Sequence, residues 1–182
     1  MKTFTLILQL VAFFVIGAFM TSCTTMPPPD TVDYVDLDRF MGDWYVHSGL
    51  LTSLEKDIYN AVESYKLDAK GRVRTTYRFR KNGFDGPLKT YHPTGFIHNE
   101  ETQAEWRMQF IWPFRLPYYI VHLDSDYQVT AVGSRNRKYI WFMSRTPEPA
   151  DELMKDAYKT ARAKGYDLSG IVTVPHQWPE PD

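Results

Sequence analysis

The run Arg72 to Arg80 constrains the fold more than any other stretch of this chain. Val73, Thr75, Tyr77 and Phe79 fall on one face at a period of two, and Arg72, Arg74, Thr76, Arg78 and Arg80 fall on the other. Only a pleated strand with one wet face puts every second side chain on one side in this way. The pattern recurs. Tyr59, Ala61, Glu63, Tyr65 and Leu67 oppose Asn60, Val62, Ser64 and Lys66, and Ala104, Trp106, Met108 and Phe110 oppose Glu105, Arg107 and Gln109. Weaker strand-like runs cover Trp44 to Gly49, Leu88 to Ile97, Tyr118 to Leu123, Gln128 to Gly133 and Tyr139 to Ser144. Pro93 and Gly95 interrupt the second of these, which marks it as bulged or peripheral.

These eight runs are joined by turns such as Asp68 to Gly71 and His98 to Glu101, with no helical pattern between neighbours. The sequence therefore predicts an all-β fold, an eight-stranded antiparallel up-and-down β-barrel. Closure removes both exposed sheet edges and leaves room for one small ligand. One α-helix should follow. Pro149 stands near its start, Asp151 and Glu152 in its first turn, and Gly165 just past its end. Leu153, Met154, Ala157, Tyr158 and Ala161 make an apolar stripe that should pack on the outside of the barrel. Ile171 to Val174 reads as a last short strand.

The N-terminus carries different information. Lys2, the apolar run Phe4 to Met20 and the small Thr21-Ser22 read as a signal peptide over residues 1–22. The chain's only cysteine, Cys23, follows at once, so no internal disulfide can form. Met20-Thr21-Ser22-Cys23 resembles a bacterial lipobox, whose cysteine takes a diacylglycerol and becomes the first mature residue. The alternatives are cleavage without lipidation and a retained helix, for which the apolar run is at the lower length limit. Thr24 at the second mature position points, by the same resemblance, to the outer membrane. Residues 23–33, with Pro27-Pro28-Pro29, would form a semi-extended spacer before a domain over 34–178 and a tail over 179–182.

Three blocks carry a family resemblance: Gly42-Asp43-Trp44-Tyr45 at the first strand, Asp124-Ser125-Asp126-Tyr127 at an acidic turn, and Arg145 after the last long strand. Together the chain resembles the lipocalins, among them the bacterial outer-membrane lipoproteins and, more distantly, apolipoprotein D. Counting connections puts Trp44, Arg145 and the turns after strands two, four and six at one end. Gly42, Trp44, Asp126, Tyr127 and Arg145 are thus expected to form a closed floor, with the Arg145 guanidinium lying across the Trp44 indole. The longer loops, Leu50 to Asp57, Lys81 to Pro87, Ile111 to Pro117 and Ser134 to Lys138, gather at the other end.

The alternation aims Tyr59, Glu63, Tyr65, Tyr77, Phe79, Trp106, Met108, Phe110 and Trp141 into the barrel. The resemblance adds Tyr119, since its strand is apolar on both faces. Such a lining suits a fatty acid or lysophospholipid, held in a lipid-anchored domain that faces the periplasm. The resemblance also admits a homodimer. The competing reading is a structural lipoprotein whose barrel is filled by its own aromatics and whose Trp112 loop binds a protein partner. The outward arginines Arg72, Arg74, Arg78 and Arg80 read as a solvated face.

A net charge of −1 points away from nucleic acid as a partner. No cofactor is expected. The five histidines are scattered at 47, 92, 98, 122 and 176, without the spacing of a metal site. No Gly-x-Ser-x-Gly elbow is present, and no cysteine inside the barrel could serve as a nucleophile, so the sequence does not read as an enzyme.

Overall fold

A computed structural model describes residues 26–180. Cys23 and the signal segment lie outside the described residues. The strands are β1 (Gly42–Leu50), β2 (Ile58–Leu67), β3 (Arg72–Lys81), β4 (Leu88–Tyr91), β5 (Thr94–Ile97), β6 (Glu105–Ile111), β7 (Phe114–Leu123), β8 (Val129–Gly133), β9 (Ile140–Ser144) and β10 (Val172–Thr173). Each pairs antiparallel with its neighbour, and β9 returns to pair with β1. The barrel is therefore closed. Its fourth staves are β4 and β5, two halves of one strand that both pair with β3 and are broken at His92-Pro93. That leaves eight staves, with β10 added on the outside of β1.

Two helices frame the barrel. The four-residue α1 (Leu37–Phe40) is capped by Asp36, whose Oδ1 accepts from the Arg39 amide at 3.2 Å. The longer α2 (Asp151–Ala163) buries Met154, Ala157 and Ala161 against the outer face of β7 and β8. Two cores result. One fills the barrel around Trp44, Tyr65, Trp106 and Tyr118, and the other lies between barrel and helix around Tyr119, Phe142 and Met154.

Both ends of the described segment are tied down. Pro29 is buried, and Arg137 donates to the Pro27 carbonyl at 2.9 Å, so the proline segment lies against the barrel from Pro27 onward and is no free spacer there. The C-terminal segment crosses the outside of β1, β2 and β3. Glu180 pairs with Arg78 at 2.5 Å and Arg80 at 3.3 Å, and Arg78 stacks on Trp178. Half of the arginine face expected to be solvated is thus covered. The stretch Ile111 to Pro117 is also not a loop. Ile111 pairs with Phe114, so Trp112-Pro113 turns a hairpin whose arms extend β6 and β7.

Candidate functional site: a barrel closed at one end

The closed end is built around Arg145. Its guanidinium carbon lies 3.8 Å from the centre of the Trp44 ring. Its nitrogens donate to the carbonyls of Arg39 at 2.6 Å, Asp43 at 3.0 Å and Tyr127 at 3.3 Å. One side chain thereby ties α1, β1 and the β7–β8 turn together. Burial lowers its pKa to about 10, which still leaves it charged at neutral pH. Gly42 adopts φ +98°, and a Cβ there would stand 3.3 Å from an Arg145 nitrogen, so glycine fits for two reasons. The Trp44 indole donates to the Phe40 carbonyl at 2.9 Å.

Phe40 is the plug that the strand pattern could not reveal. It is fully buried and packs against Trp44, Tyr65 and Trp106 with ring centroids 5.0, 5.8 and 5.5 Å away. Tyr127 accepts the Asp36 amide at 2.8 Å and lies under Arg39 at 4.0 Å. Asp126 is exposed in the turn. The carboxylate that holds this turn is Asp124, which accepts from the amides of Asp126, Gln128 and Val129 at 3.0, 2.7 and 2.5 Å.

Above the plug lies a polar layer. Tyr118 and Tyr65 hydroxyls meet at 2.5 Å, Tyr65 donates to Glu63, and Tyr118 reaches Glu63 at 3.5 Å. Burial raises the Glu63 carboxyl to about 7. The Tyr65 hydrogen bond opposes the shift, and the Glu55 charge adds to it. Burial and these carboxylates hold Tyr65, Tyr77 and Tyr118 well above the usual phenol range. Glu63 faces the lumen opposite Trp44 and Tyr77. Thr75, also inward, leaves its buried hydroxyl without a partner.

Towards the open end the lining is Ile58, Tyr77, Phe79, Met108 and Trp141. Here the connection after β1 folds inward. Glu55 is buried in a 3-10 turn, accepting from Thr52 within the loop, from Tyr77 at 2.9 Å and from Trp141 at 2.7 Å. The sequence held one signal for it, the capping pattern Thr52-Ser-Leu-Glu55.

Three expected cavity residues stand elsewhere. Tyr119 belongs to the core under α2, and Tyr118 takes the inward place, paired with Trp106. Tyr59 points outward and packs on Phe84 at 5.0 Å. The cause is a bulge between Tyr59 and Val62, where Asn60 adopts φ +49° and bonds Pro175 and Gln177 of the C-terminal segment. Phe110 lies past a second bulge at the open rim and is half exposed. Glu63, Tyr65, Tyr77, Phe79, Trp106, Met108 and Trp141 do come together inside. Two surface depressions, of about 700 and 450 Å³, sit on the outer side of the closed end and do not enter the barrel.

The family model described as "Lipocalin-like domain" matches residues 35–176. The chain belongs to the lipocalin family. The outer membrane lipoprotein Blc of Escherichia coli K12 is 26% identical over 171 residues, 92% of this chain and 96% of that one. Temperature-induced lipocalin-1 of Arabidopsis thaliana is 26% identical over 165 residues, covering 84% and 83%. Among solved structures, insecticyanin from the tobacco hornworm Manduca sexta superposes with a TM-score of 0.68 at 15% identity, covering 85% of this lipocalin and 87% of that chain. Lobster apocrustacyanin A1 gives 0.65 at 14% identity, covering 88% and 96%. At that identity the likeness is one of fold. It extends to the closed eight-stranded barrel and the helix packed on its side.

Proposed function

We propose that this lipocalin is a membrane-anchored carrier at the cell envelope that holds the acyl chain of a fatty acid or lysophospholipid in its barrel. One observation carries the reading. The barrel is sealed below by Arg145, Trp44 and Phe40, while its upper lining, around Ile58, Phe79, Met108 and Trp141, is apolar. An acyl tail entering from above meets Phe79, Met108 and Trp141 before it reaches the Glu63 layer. A carboxylate head would have to enter a buried layer already holding the Glu55 and Glu63 carboxyls, so the head group stays at the rim. Burying about ten methylenes contributes roughly 8 kcal/mol gross, and after the cost of association the expected affinity is on the order of micromolar. The name of the bacterial relative, the lipobox-like Cys23 and Thr24 support the outer-membrane assignment. The domain would face the periplasm.

Displacement of a fluorescent fatty acid by palmitate and by lysophosphatidylcholine tests the carrier reading. Saturable displacement is expected; a folded domain that binds neither lipid sinks it. A second reading, an interaction lipoprotein with a self-filled barrel, draws on the tight packing of Phe40, Trp44, Tyr65, Trp106 and Tyr118. It would be favoured by a folded domain that binds no lipid and whose Trp112 hairpin retains a protein partner.

A further inference from the structure

Five of the exposed large apolar side chains cluster on the β6–β7 hairpin. Phe110, Ile111, Trp112, Phe114 and Leu116 are 54% to 81% accessible, with Trp112 at the tip the most exposed. A contiguous apolar surface of this kind marks an interface. The hairpin stands at the open end, since β6 rises from the closed end and β7 returns to it.

The chain's N-terminal segment reaches the same end. Arg137, in the turn between β8 and β9, donates to the carbonyls of Pro27 at 2.9 Å and Pro28 at 3.5 Å. From there the chain descends. Lys164 bonds the Thr31 carbonyl at 3.1 Å, the Val32 amide bonds Ile120 at 3.0 Å, and the Val35 amide bonds Thr102 at 2.8 Å, near the floor. Cys23 precedes Pro27 by four residues, a reach of ~14 Å at most. An anchor on Cys23 therefore tethers the open end, not the closed one.

Charge follows the same axis. The closed end and its approaches carry the acids Glu100, Glu101, Asp124, Asp126, Glu148 and Asp151 against Arg39, Lys70 and Arg145. Around the open end stand Lys56, Lys89, Arg135 and Lys138, all exposed, against Asp57 and Asp85. Tryptophan and aromatic tips flanked by basic residues suit the boundary between acyl chains and anionic headgroups.

We infer that the open end docks on an anionic phospholipid surface, with the Trp112 hairpin seated in the interface and the barrel mouth facing the bilayer. The tether in this arrangement rests on the anchored-carrier reading; the docking surface does not. A lipid would then pass between membrane and barrel without crossing bulk water.

The test uses the lipidated protein reconstituted into vesicles of phosphatidylcholine with a minority of phosphatidylglycerol, with and without brominated acyl chains. Bromines should quench tryptophan emission, and most of that quenching should vanish in Trp112→Phe. Equal quenching in both proteins overturns the inference. The unanchored Cys23→Ser protein isolates the surface itself. It should bind the mixed vesicles, more weakly bind pure phosphatidylcholine, and lose ~10-fold or more of its binding in Trp112→Ser/Phe114→Ser. If Cys23→Ser binds no vesicle while the lipidated protein stays membrane-bound and unquenched, the docking surface is wrong and the anchor stands. If mass spectrometry finds no acyl chains on Cys23 but Cys23→Ser still binds through Trp112, the anchor fails and the surface stands. A dimer of Cys23→Ser that Trp112→Ser dissociates would assign the hairpin to a second copy and overturn membrane docking.

Discussion

The two ends of this barrel are made of similar residues put to opposite uses. At the closed end Trp44 is fully buried, its indole nitrogen is bonded, and a guanidinium lies on its face. At the open end Trp112 is 81% exposed at the tip of a hairpin. At the closed end Arg145 stacks on an indole and ties three carbonyls. On the outer wall between the ends, Arg115 lies 3.7 Å over the ring of Phe96 and its side chain stays exposed. Aromatic content alone does not locate a core. What decides is whether neighbouring polar groups are supplied to satisfy the indole and the backbone around it. The largest effect is expected of Trp44→Ala. The loss of a buried tryptophan, with its cavity and its stranded Arg145, should cost about 3–5 kcal/mol. Urea unfolding checks it. A cost no larger than that of a mouth substitution would mean that the floor is not what holds the barrel.

The layer between the ends supplies the next effect, one that depends on pH. Glu63 titrates at about 7 in the fold against 4.5 as the reference value. Its neutral form is favoured by folding, so that stability is present below pH 4.5 and is lost as pH rises to about 7. The shift of 2.5 corresponds to up to about 3 kcal/mol. His47 acts in the opposite sense. Burial, then the charge of His176, lowers it from 6.5 to about 4, so its contribution is present above pH 6.5 and is lost as pH falls to 4. The two slopes oppose each other across most of this window. Glu63→Gln should therefore unmask the histidine slope. The wild-type minus variant difference in unfolding free energy should fall by up to about 3 kcal/mol from pH 4.5 to 8. A flat difference would show that Glu63 is not held in the interior.

A smaller effect sharpens the floor itself. Arg145→Lys keeps the charge but loses the planar stack and the fork that reaches three carbonyls. It should cost about 1–2 kcal/mol in urea unfolding. A neutral outcome would reduce the guanidinium to a surface charge.

The sequence exposed this closed end more readily than the lumen. Trp44 and Arg145 fall at strand ends, so counting connections was enough to bring them together. The alternation of β3 gave Val73, Tyr77 and Phe79 directly, because one of its faces is wet or covered by polar groups. The phase of β7 was not legible. Its outer face lies under α2, so Tyr119 and Val121 are as buried as Tyr118 and Ile120, and period two carries no phase when both faces are apolar. Tyr59 was misplaced by a bulge whose cause, the bonds from Asn60 to Gln177, lies 117 residues away. The covering of Arg78 by Glu180 is non-local in the same way. Phe40 was invisible because a four-residue helix is too short to show a period.

The smallest stability effect is expected at the hairpin tip. Trp112→Ser removes a side chain that packs on little, so unfolding free energy should change by less than about 0.5 kcal/mol. Its thermal midpoint should stay within a few degrees of wild type. The same substitution at the floor, Trp44→Ser, would leave an unfilled cavity and a polar atom with no partner. The ratio of these two costs is thus a direct measure of how far the barrel separates a structural end from a working one. If Trp112→Ser destabilised the domain as much as a core substitution, the hairpin would be a packed lid over the mouth. The exposed rim would then belong to the fold and not to an encounter with lipid.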